Sequence, residues 1–484
     1  MPEAVPQPET PIAAPLPLCV DLDGTLVKSD TLVDSLLALA RNHPVLVLEL
    51  PGHLLRGKAA FKAFVSQSVS LDVAHLPYNH KVLQFLHEER ARGRAIYLTT
   101  GADITLARRV ALHLGIFAGV LASDGATNLT GSKKLEGLRG SLDSSAFDYI
   151  GNDTPDLPLL AHANVAMVAN PSLALSMELR SRGIRPARQF NERSHPVKAL
   201  LNALRVRQWA KNLLVFVPLL LSHALSADKL LTALGAFCCL SLAGSAAYIF
   251  DDLLDIDADR RHPQKRLRPF ASGDLSALAG IGIVAIFLVL GLLSGSLLPG
   301  NFFGWLLLYL ATTLGYSLYL KRVVPVDVLL LAGLYILRLL AGGAATLTPV
   351  SHWLAGFSIF LFLSLAIVKR FAELENLRAS SSPPKSGHGY LLADMEQLRS
   401  FGTASAFAAV VVFAIYIGGP DAAKLYSQPG LLWLIAPLMI FWLGRLWLTA
   451  SRGELDEDPV VFALSDGVSL AIGAAVVVIA LLAI

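Results

Sequence analysis

Residues 248–273 read YIFDDLLDIDADRRHPQKRLRPFASG, and this stretch decides how the rest of the chain is interpreted. It begins at the end of an apolar run and changes abruptly to carboxylates. Most of the acids are three or four residues apart, so most of them share one face of a helix; they are Asp251, Asp252, Asp255 and Asp259. Crowded carboxylates repel one another unless a cation lies between them, and Mg²⁺ prefers such oxygen ligands. The spacing therefore predicts a magnesium site, in which Mn²⁺ would also serve.

Basic residues follow these acids immediately. They are Arg260, Arg261, His262, Lys265, Arg266 and Arg268. Guanidinium and ammonium groups bind phosphate oxygens directly. Metal-binding acids beside a basic cluster at the end of an apolar helix indicate a site for a diphosphate. The other interpretation is a charged loop that only orients a membrane protein, although four spaced acids contribute little to orientation.

The composition divides the chain into two parts. Of its 484 residues 54% are hydrophobic and 16% are charged. Residues 1–16 are a proline-rich lead that we expect to be disordered. Residues 17–190 have the mixed charge and short apolar runs of a soluble domain, 191–203 are a polar linker, and 204–484 are mostly long apolar segments. The net charge of +3 does not suggest nucleic acid, and the 3 cysteines have no metal-ligand spacing.

The first part contains the motif Asp21-Leu-Asp23-Gly-Thr25 directly after a short apolar run. Two acids at a strand end can divide two tasks, because one can attack a phosphoryl group while the other transfers protons. Alone, this pattern also fits a turn or a calcium loop.

Three further stretches strengthen the interpretation. Residues 94–101 form a strand pattern ending in hydroxyls and glycine, 131–134 place a lysine after a turn, and 147–156 form a strand pattern ending in carboxylates. Strands that alternate with helical patterns predict a parallel α/β sheet with its site at the carboxyl ends of the strands.

In this order the motifs resemble those of the haloacid dehalogenase-like phosphatase superfamily. The resemblance implies a Rossmann-like α/β domain with a small helical cap at about 31–90, with Asp21 as the nucleophile and Asp23 as the general acid/base. It also implies phosphate ligands and Mg²⁺ ligands. The phosphate ligands would be Thr100 (or Thr99), Gly101 and Lys134, and the metal ligands would be Asp21, Asp23, Asn152, Asp153 and Asp156. Asn152 stands where the family usually has an aspartate, and an inactive structural domain is the alternative.

The second part is predicted to be an all-α membrane domain of about nine spanning segments. They are roughly 212–226, 230–250, 277–297, 301–320, 326–346, 353–373, 401–418, 429–449 and 460–484. The loops after the second, fourth, sixth and eighth segments hold most of the lysine and arginine. The positive-inside rule therefore places these loops and the first domain in the cytoplasm.

Further polar groups lie at the ends of these segments. They are Lys211 and Asn212 at the first, Tyr316, Lys321 and Asp327 around the fourth, Arg338 in the fifth, and Lys369, Arg370 and Glu373 at the sixth. Lys211 suits either a membrane interface or a phosphate site. A buried arginine is costly unless it meets an anion, so Arg338 would pair with Asp327 or with substrate phosphate.

The DDxxDxxxD pattern and the helices resemble the UbiA-type intramembrane prenyltransferase superfamily. That family usually has asparagine at the position of Asp251 and a second aspartate-rich motif, where this chain has YSLYLKR and KRFAEL. These motifs and RQWAKN look more like the decaprenyl-phosphate phosphoribosyltransferase branch. The resemblance implies phosphoribosyl diphosphate as donor, polyprenyl phosphate as acceptor, and a catalytic metal on Asp252, Asp255 and Asp259. The basic and polar residues named above, except Arg261, would bind the substrates.

Together the two resemblances predict a bifunctional integral membrane enzyme of a bacterial-type inner membrane. One part would transfer 5-phosphoribose to polyprenyl phosphate, and the other would remove the 5-phosphate at the cytoplasmic side. One alternative is transfer of an isoprenoid chain from its diphosphate to an aromatic acceptor. The other is a non-catalytic membrane protein with a regulatory phosphatase domain. All three interpretations are compatible with an oligomer.

Overall fold

The structure is a computed structural model that describes residues 15–142, 146–223, 225–379, 389–455 and 458–484. Most of the predicted lead therefore lies outside the described residues. The chain divides into two compact units. The first unit contains the described residues up to Ala203 together with Asp252–Gly282, and the second contains Leu204–Asp251 and Ile283–Ile484. The contacts of the aspartate-rich segment thus place Asp252–Gly282 in the same unit as the N-terminal residues. The predicted domain bounds 17–190, 191–203 and 204–484 stay predictions.

A parallel sheet lies at the centre of the first unit, and this prediction is confirmed. Its strands are β1 (Leu18–Val20), β2 (Ile96–Asp103), β3 (Gly119–Ser123), β4 (Asp148–Gly151), β5 (Ala166–Ala169) and β6 (Arg188–Phe190). Their order is β3-β2-β1-β4-β5-β6, and Cys19 of β1 lies opposite Tyr97 of β2 and Tyr149 of β4. The chain order reverses between β1 and β4, which is where such sheets bind ligands at the carboxyl ends of the strands.

Helices surround this sheet and cover its apolar faces. They are α1 (Thr31–Asn42), α2 (Leu50–Leu55), α3 (Lys58–Ser68), α4 (His80–Ala91), α5 (Ile104–Leu114), α6 (Ser132–Ser141), α7 (Leu157–His162), α8 (Leu173–Ser181) and α9 (Pro196–Leu204). The Asp30 carboxylate begins α1 by accepting hydrogen bonds from the backbone N–H groups of Leu32 and Val33, which otherwise have no partner in the helix. The predicted cap region contains α1 to α4, and α9 covers most of the predicted linker.

The remaining elements include the long apolar helices. They are α10 (Val217–Leu221), α11 (Ala227–Leu254), α12 (Ile256–Arg261), α13 (Ala277–Ser296), α14 (Phe302–Leu318), α15 (Val326–Ala345), α16 (His352–Ala379), α17 (Met395–Ile417), α18 (Pro420–Leu425), α19 (Ile435–Ser451), α20 (Pro459–Ser465) and α21 (Gly467–Ala483). Further 3-10 helices are Val206–Phe216, Lys265–Leu267, Leu320–Arg322, Leu392–Asp394 and Pro429–Leu434.

The prediction of nine spans is not confirmed. Within the described residues six helices are long and apolar enough to cross a membrane, or seven if α20 and α21, bent by 81° at their junction, form one span. The fourth predicted segment forms α14, which is shorter. In its described residues the first segment, 212–226, forms no long helix. Its start belongs to a 3-10 helix that ends at Phe216, and the five-residue helix α10 follows with Pro218 in its first turn. The Asp466 carboxylate stabilises the bend by capping α21 and binding Arg445 at 2.6 Å.

Close backbone packing holds part of the second unit together. Gly342 on α15 lies directly against the main-chain carbonyl of Val215, so a Cβ atom there would collide with backbone. Gly333, on the same helix, has open space at its Cβ position. The two glycines therefore differ in packing although they share one helix.

We expect Gly342→Ala to lower the free energy of unfolding by about 1–3 kcal/mol, the usual cost of overpacking. The thermal unfolding midpoint of the purified protein in detergent measures this. Gly333→Ala is the matched control and should leave the midpoint unchanged or raise it, since alanine favours helix. Equal midpoints for the two variants would contradict the packing at Gly342.

Candidate functional site

Three charged side chains meet at the carboxyl edge of the sheet between β1 and β4. The Lys134 Nζ on α6 lies 2.7 Å from Asp21 Oδ1, after β1, and 3.0 Å from Asp156 Oδ1, after β4. All three are buried. A buried carboxylate is costly without a counter-charge, so one lysine stabilises both acids.

Asp23 lies beside this group and differs from it in its partners. Its Oδ1 accepts a hydrogen bond of 2.8 Å from the backbone N–H of Thr31. Burial, together with the negative charges of Asp30 and Asp21, raises the pKa of Asp23 to about 8. Burial also raises the pKa of Asp21 to about 7, although Lys134 acts against it. Asp23 is thereby suited to holding and donating a proton near neutral pH.

The second predicted motif lies at the end of β2, and a lysine joins it there. The Thr100 hydroxyl accepts a hydrogen bond from the N–H of Ala102. Lys62 on α3 donates to the Gly101 carbonyl at 2.6 Å and to Asn128 Oδ1 at 2.9 Å. Burial lowers the pKa of Lys62, while Asp23 and Asp30 act to raise it. The sequence analysis missed Lys62, because a lysine in a helical pattern carries no motif.

The third predicted motif places its acids in different roles. The Asn152 side chain packs against Gly24, whose φ of +76° and lack of a Cβ permit the approach, and its Oδ1 accepts from Thr25 at 3.3 Å. Asp156 accepts hydrogen bonds from the Tyr149 hydroxyl and from the Asn152 N–H. Asp153 instead accepts from Ser172 and Thr154 and caps a 3-10 turn. Of the predicted metal ligands, Asp21 and Asp156 therefore meet at Lys134, whereas the Asn152 side chain contacts Gly24 and Thr25.

The aspartate-rich segment of the first unit holds two of its acids around one cation. The Nη1 atom of Arg268 lies 3.0 Å from Asp252 Oδ1 and 2.7 Å from Asp259 Oδ2, and both acids are buried. Asp255 instead pairs with Arg41 at 3.0 Å. Burial raises the pKa of Asp259, with Arg268 acting against it. Arg268 thus brings the Asp252 and Asp259 carboxylates together around one positive charge.

The four predicted aspartates do not meet at one point. Asp251, which is in the second unit, pairs there with Lys321 at 2.9 Å. In the part of the chain that the structure describes, no three histidine, cysteine, aspartate or glutamate side chains converge on a metal position. Each of the four aspartates is instead paired with a lysine or an arginine of the protein.

The predicted basic cluster is likewise divided. Arg260 is buried and binds Asp34, and Arg268 binds the two aspartates. The His262 Nδ1 accepts hydrogen bonds from the backbone N–H groups of Gln264 and Lys265. Among the described contacts, the exposed Lys265 and Arg266 side chains of the predicted phosphate-binding set form no ion pair, and His262 is exposed as well.

A small cavity of about 50 Å³ lies within the second unit. Its charged lining residues are Lys211, Arg338, Lys369 and Asp458, and Tyr248 and Tyr335 line it as well. Asp458 Oδ2 lies 2.7 Å from Lys211 Nζ and 3.1 Å from Lys369 Nζ. Burial would raise the pKa of Asp458, but the two lysines hold it well below its usual range. Burial lowers the pKa of Lys211 to about 7, but Arg338 and Lys369 alone outnumber Asp458, so the cavity has a net positive charge.

The sequence analysis missed Asp458 and Tyr335. The available signal for Asp458 was the acidic run 454–458, which ends directly before the last apolar segment. The signal was weak because such runs usually form exposed loops.

Arg338 does not pair with Asp327. It binds Asn212 Oδ1 at 2.8 Å and the Tyr309 hydroxyl at 3.0 Å. Both Arg338 and Asp327 lie on α15, eleven residues and therefore roughly 16 Å apart along the helix axis, which is too far for an ion pair.

Asp327 belongs to a separate buried network. Arg370 binds it through Nε at 2.6 Å and Nη2 at 2.9 Å, and also binds the Tyr316 hydroxyl at 2.6 Å. Glu373 binds the remaining nitrogen of Arg370 at 2.6 Å. Four predicted substrate-binding residues are thus brought together, and they bind one another.

The family model of the UbiA prenyltransferases matches residues 213–472, so the chain belongs to the UbiA prenyltransferase family. This membership and the apolar helices indicate an integral membrane protein. The chain is 37% identical to the uncharacterized protein y4nM of Sinorhizobium fredii over 462 residues, which are 95% of this chain and 89% of that one. It is 32% identical to decaprenyl-phosphate phosphoribosyltransferase of Mycobacterium tuberculosis over 279 residues, 56% of this chain and 89% of that one.

A solved UbiA homolog from Archaeoglobus fulgidus, bound to GPP and Mg²⁺, is 17% identical, with a TM-score of 0.46. The alignment covers 58% of this chain and 99% of that one.

We expect inorganic pyrophosphate to stabilise the protein by binding the positive cavity. Lys369→Met should raise the dissociation constant about tenfold, because hydrogen bonds to charged groups contribute about 1.5–3 kcal/mol. The shift of the thermal unfolding midpoint with pyrophosphate concentration measures it. Lys424→Met, which removes an exposed lysine paired with Asp421, is the control. An unchanged dissociation constant in Lys369→Met would exclude the cavity as the anion site.

Proposed function

We propose that this protein transfers 5-phosphoribose from phosphoribosyl diphosphate to polyprenyl phosphate and then removes the 5-phosphate, giving polyprenyl-phospho-ribose. The observation that carries the proposal is the combination of two features in one chain. One is a UbiA-family region related to decaprenyl-phosphate phosphoribosyltransferase, and the other is an Asp21–Lys134–Asp156 constellation at the carboxyl edge of a parallel sheet.

In the transfer step the bond between ribose C1 and the diphosphate oxygen breaks. A phosphate oxygen of the lipid forms the new bond to C1, and pyrophosphate leaves with the electron pair. Lys211, Arg338 and Lys369 would bind the phosphate oxygens as negative charge develops.

In the second step the Asp21 carboxylate would attack the 5-phosphate, and the bond between phosphorus and the ribose oxygen would break. Asp23 would donate its proton to that oxygen. Water would then hydrolyse the aspartyl-phosphate, with Asp23 taking the proton back and free phosphate leaving. Lys134 and Thr100 would bind the phosphate oxygens.

A divalent cation would neutralise phosphate oxygens at both sites. Asp252 and Asp259 would hold it in the transferase, and Asp21, Asp156, the Asn152 amide oxygen and the Asp23 carbonyl would hold it in the phosphatase. Phosphoribosyl diphosphate is a soluble metabolite, and the positive loops of the apolar region support placing both sites at the cytoplasmic side.

We expect Asp252→Asn and Asp259→Asn each to lower glycolipid formation at least about hundredfold, because each removes one of two charges from the proposed cation site. Labelled phosphoribosyl diphosphate and a polyprenyl phosphate, supplied to protein in detergent, measure this. Asp257→Asn is the matched control, since Asp257 lies on the same short helix as Asp259 and pairs, among the described residues, with exposed Arg261. Wild-type activity in Asp252→Asn would reject these acids as metal ligands.

We expect Asp21→Asn to accumulate the 5-phosphorylated glycolipid, because the proposed nucleophile is lost while transfer continues. Chromatography of the labelled lipid and a free-phosphate assay follow the two steps. Asp124→Asn, which changes an acid that accepts only local backbone hydrogen bonds, should release phosphate as the wild type does. Release of pyrophosphate with no later free phosphate from wild-type protein would reject the phosphatase half.

The same assay distinguishes the alternatives. If geranyl diphosphate but not phosphoribosyl diphosphate serves as donor, the protein is a prenyltransferase. If neither gives a product, the non-catalytic interpretation gains support.

A further inference from the structure

Helix α1 and the aspartate-rich segment of the first unit carry reciprocal charges. Asp34 and Arg41 are seven residues apart on α1 and therefore lie on one face of it. Asp34 pairs with Arg260 of the segment at 2.8 Å, and Arg41 pairs with Asp255 at 3.0 Å. Helix α1 and the aspartate-rich segment thus each supply one acidic and one basic side chain.

The Asp34–Arg260 pair is almost completely buried. The side chains are 2% and 3% exposed. Ser29 completes the contact, since it donates to Asp34 at 2.7 Å and accepts from Arg260 at 3.0 Å, and Arg260 also donates to the Ala271 carbonyl. Removing one partner of such a pair leaves a buried charge without compensation, whereas removing both together is often tolerated.

The far end of the segment is also fixed to N-terminal residues. Asp274 accepts a hydrogen bond from the Ser194 hydroxyl and lies 3.9 Å from the Lys28 ammonium. Gly273, with φ +75°, lies against the Lys28 Cβ, so no side chain fits there. The segment from Asp255 to Asp274 is therefore held at both ends.

We propose that α1 is a positioning element for the aspartate-rich segment, with Asp34 as the main positioning residue and Arg41 as the second. These side chains touch no reacting atom. They fix the backbone on which Asp255, Asp259 and Arg268 stand, so the sheet domain is required for transfer even when its own proposed chemistry is blocked. The consequence for transfer rests on the proposed function, but the positioning itself does not.

Limited trypsin digestion of the full-length protein in detergent tests the positioning without any activity. Lys265 and Arg266 are exposed trypsin sites within the segment. Asp34→Leu and Arg260→Met should each raise the cleavage rate there about tenfold or more, because opening of the segment becomes easier. Arg41→Met should have a smaller effect, since its pair with Asp255 is more exposed. Glu178→Gln, which removes an exposed pair with Arg182, should have none.

The double variant Asp34→Leu/Arg260→Met separates positioning from general damage. With both charges gone, its cleavage rate should return to within about threefold of the wild type. The transfer rate should follow the same pattern, falling about tenfold in each single variant and recovering in the double one. Asp124→Asn, which changes an acid that accepts local backbone hydrogen bonds, should keep both the wild-type cleavage rate and the wild-type transfer rate.

Wild-type cleavage in both single variants, or a double variant whose defect is the product of the single ones, would overturn the proposal. If wild-type protein shows no transfer at all, the proposed function fails, and the trypsin rates still decide the positioning.

Discussion

Pairing of buried carboxylates with protein cations is the constraint on which both candidate regions depend. Lys134 lies between Asp21 and Asp156, Arg268 lies between Asp252 and Asp259, and Asp458 lies between Lys211 and Lys369. In each case a charge removed from water needs an opposite charge at hydrogen-bond distance. The same pairing fixes the oxygen and nitrogen atoms that the proposed function would use to bind phosphate and metal.

This constraint has a consequence for metal binding. A divalent ion held by Asp252 and Asp259 would compete with the Arg268 guanidinium for these carboxylates. Arg268 is 28% exposed and can turn into solvent or towards a phosphate, whereas Lys134 is only 4% exposed. Lys134 therefore stays beside Asp21, and a metal at the sheet edge would have to use the other oxygens of the acids.

The fold was predictable wherever a local pattern decides it. Short apolar runs that end in acids indicated parallel strands, and most long apolar runs became long helices. The prediction of a span at 212–226 was not confirmed, because hydropathy does not register the buried polar contacts of Lys211 and Asn212 at its start. It also does not register the new short helix at Val217, which has Pro218 in its first turn. Hydropathy also cannot show the bend at Asp466, which depends on a carboxylate binding Arg445 from another helix.

The site was predictable only where residues belong to a motif. Asp21 and Lys134 are 113 residues apart but follow each other in a recognisable order, so their meeting could be expected. The contacts of Asp458 and Lys62 come from residues without a motif, and Asp327 with Arg338 shows that two opposite charges on one helix are no pair when three turns separate them. Ion pairs between distant segments depend on tertiary packing, which no local spacing encodes.

The aspartate-rich segment illustrates this limit best. By sequence it continues α11 of the UbiA-family region, yet its contacts group it with the sheet domain. The alignment with the Mycobacterium tuberculosis protein covers 89% of that protein and only 56% of this chain, so that protein has little length for a comparable domain. A buried arginine without its acid is strongly destabilising. The Asp34–Arg260 pair therefore makes the aspartate-rich segment depend on the sheet domain for its stability.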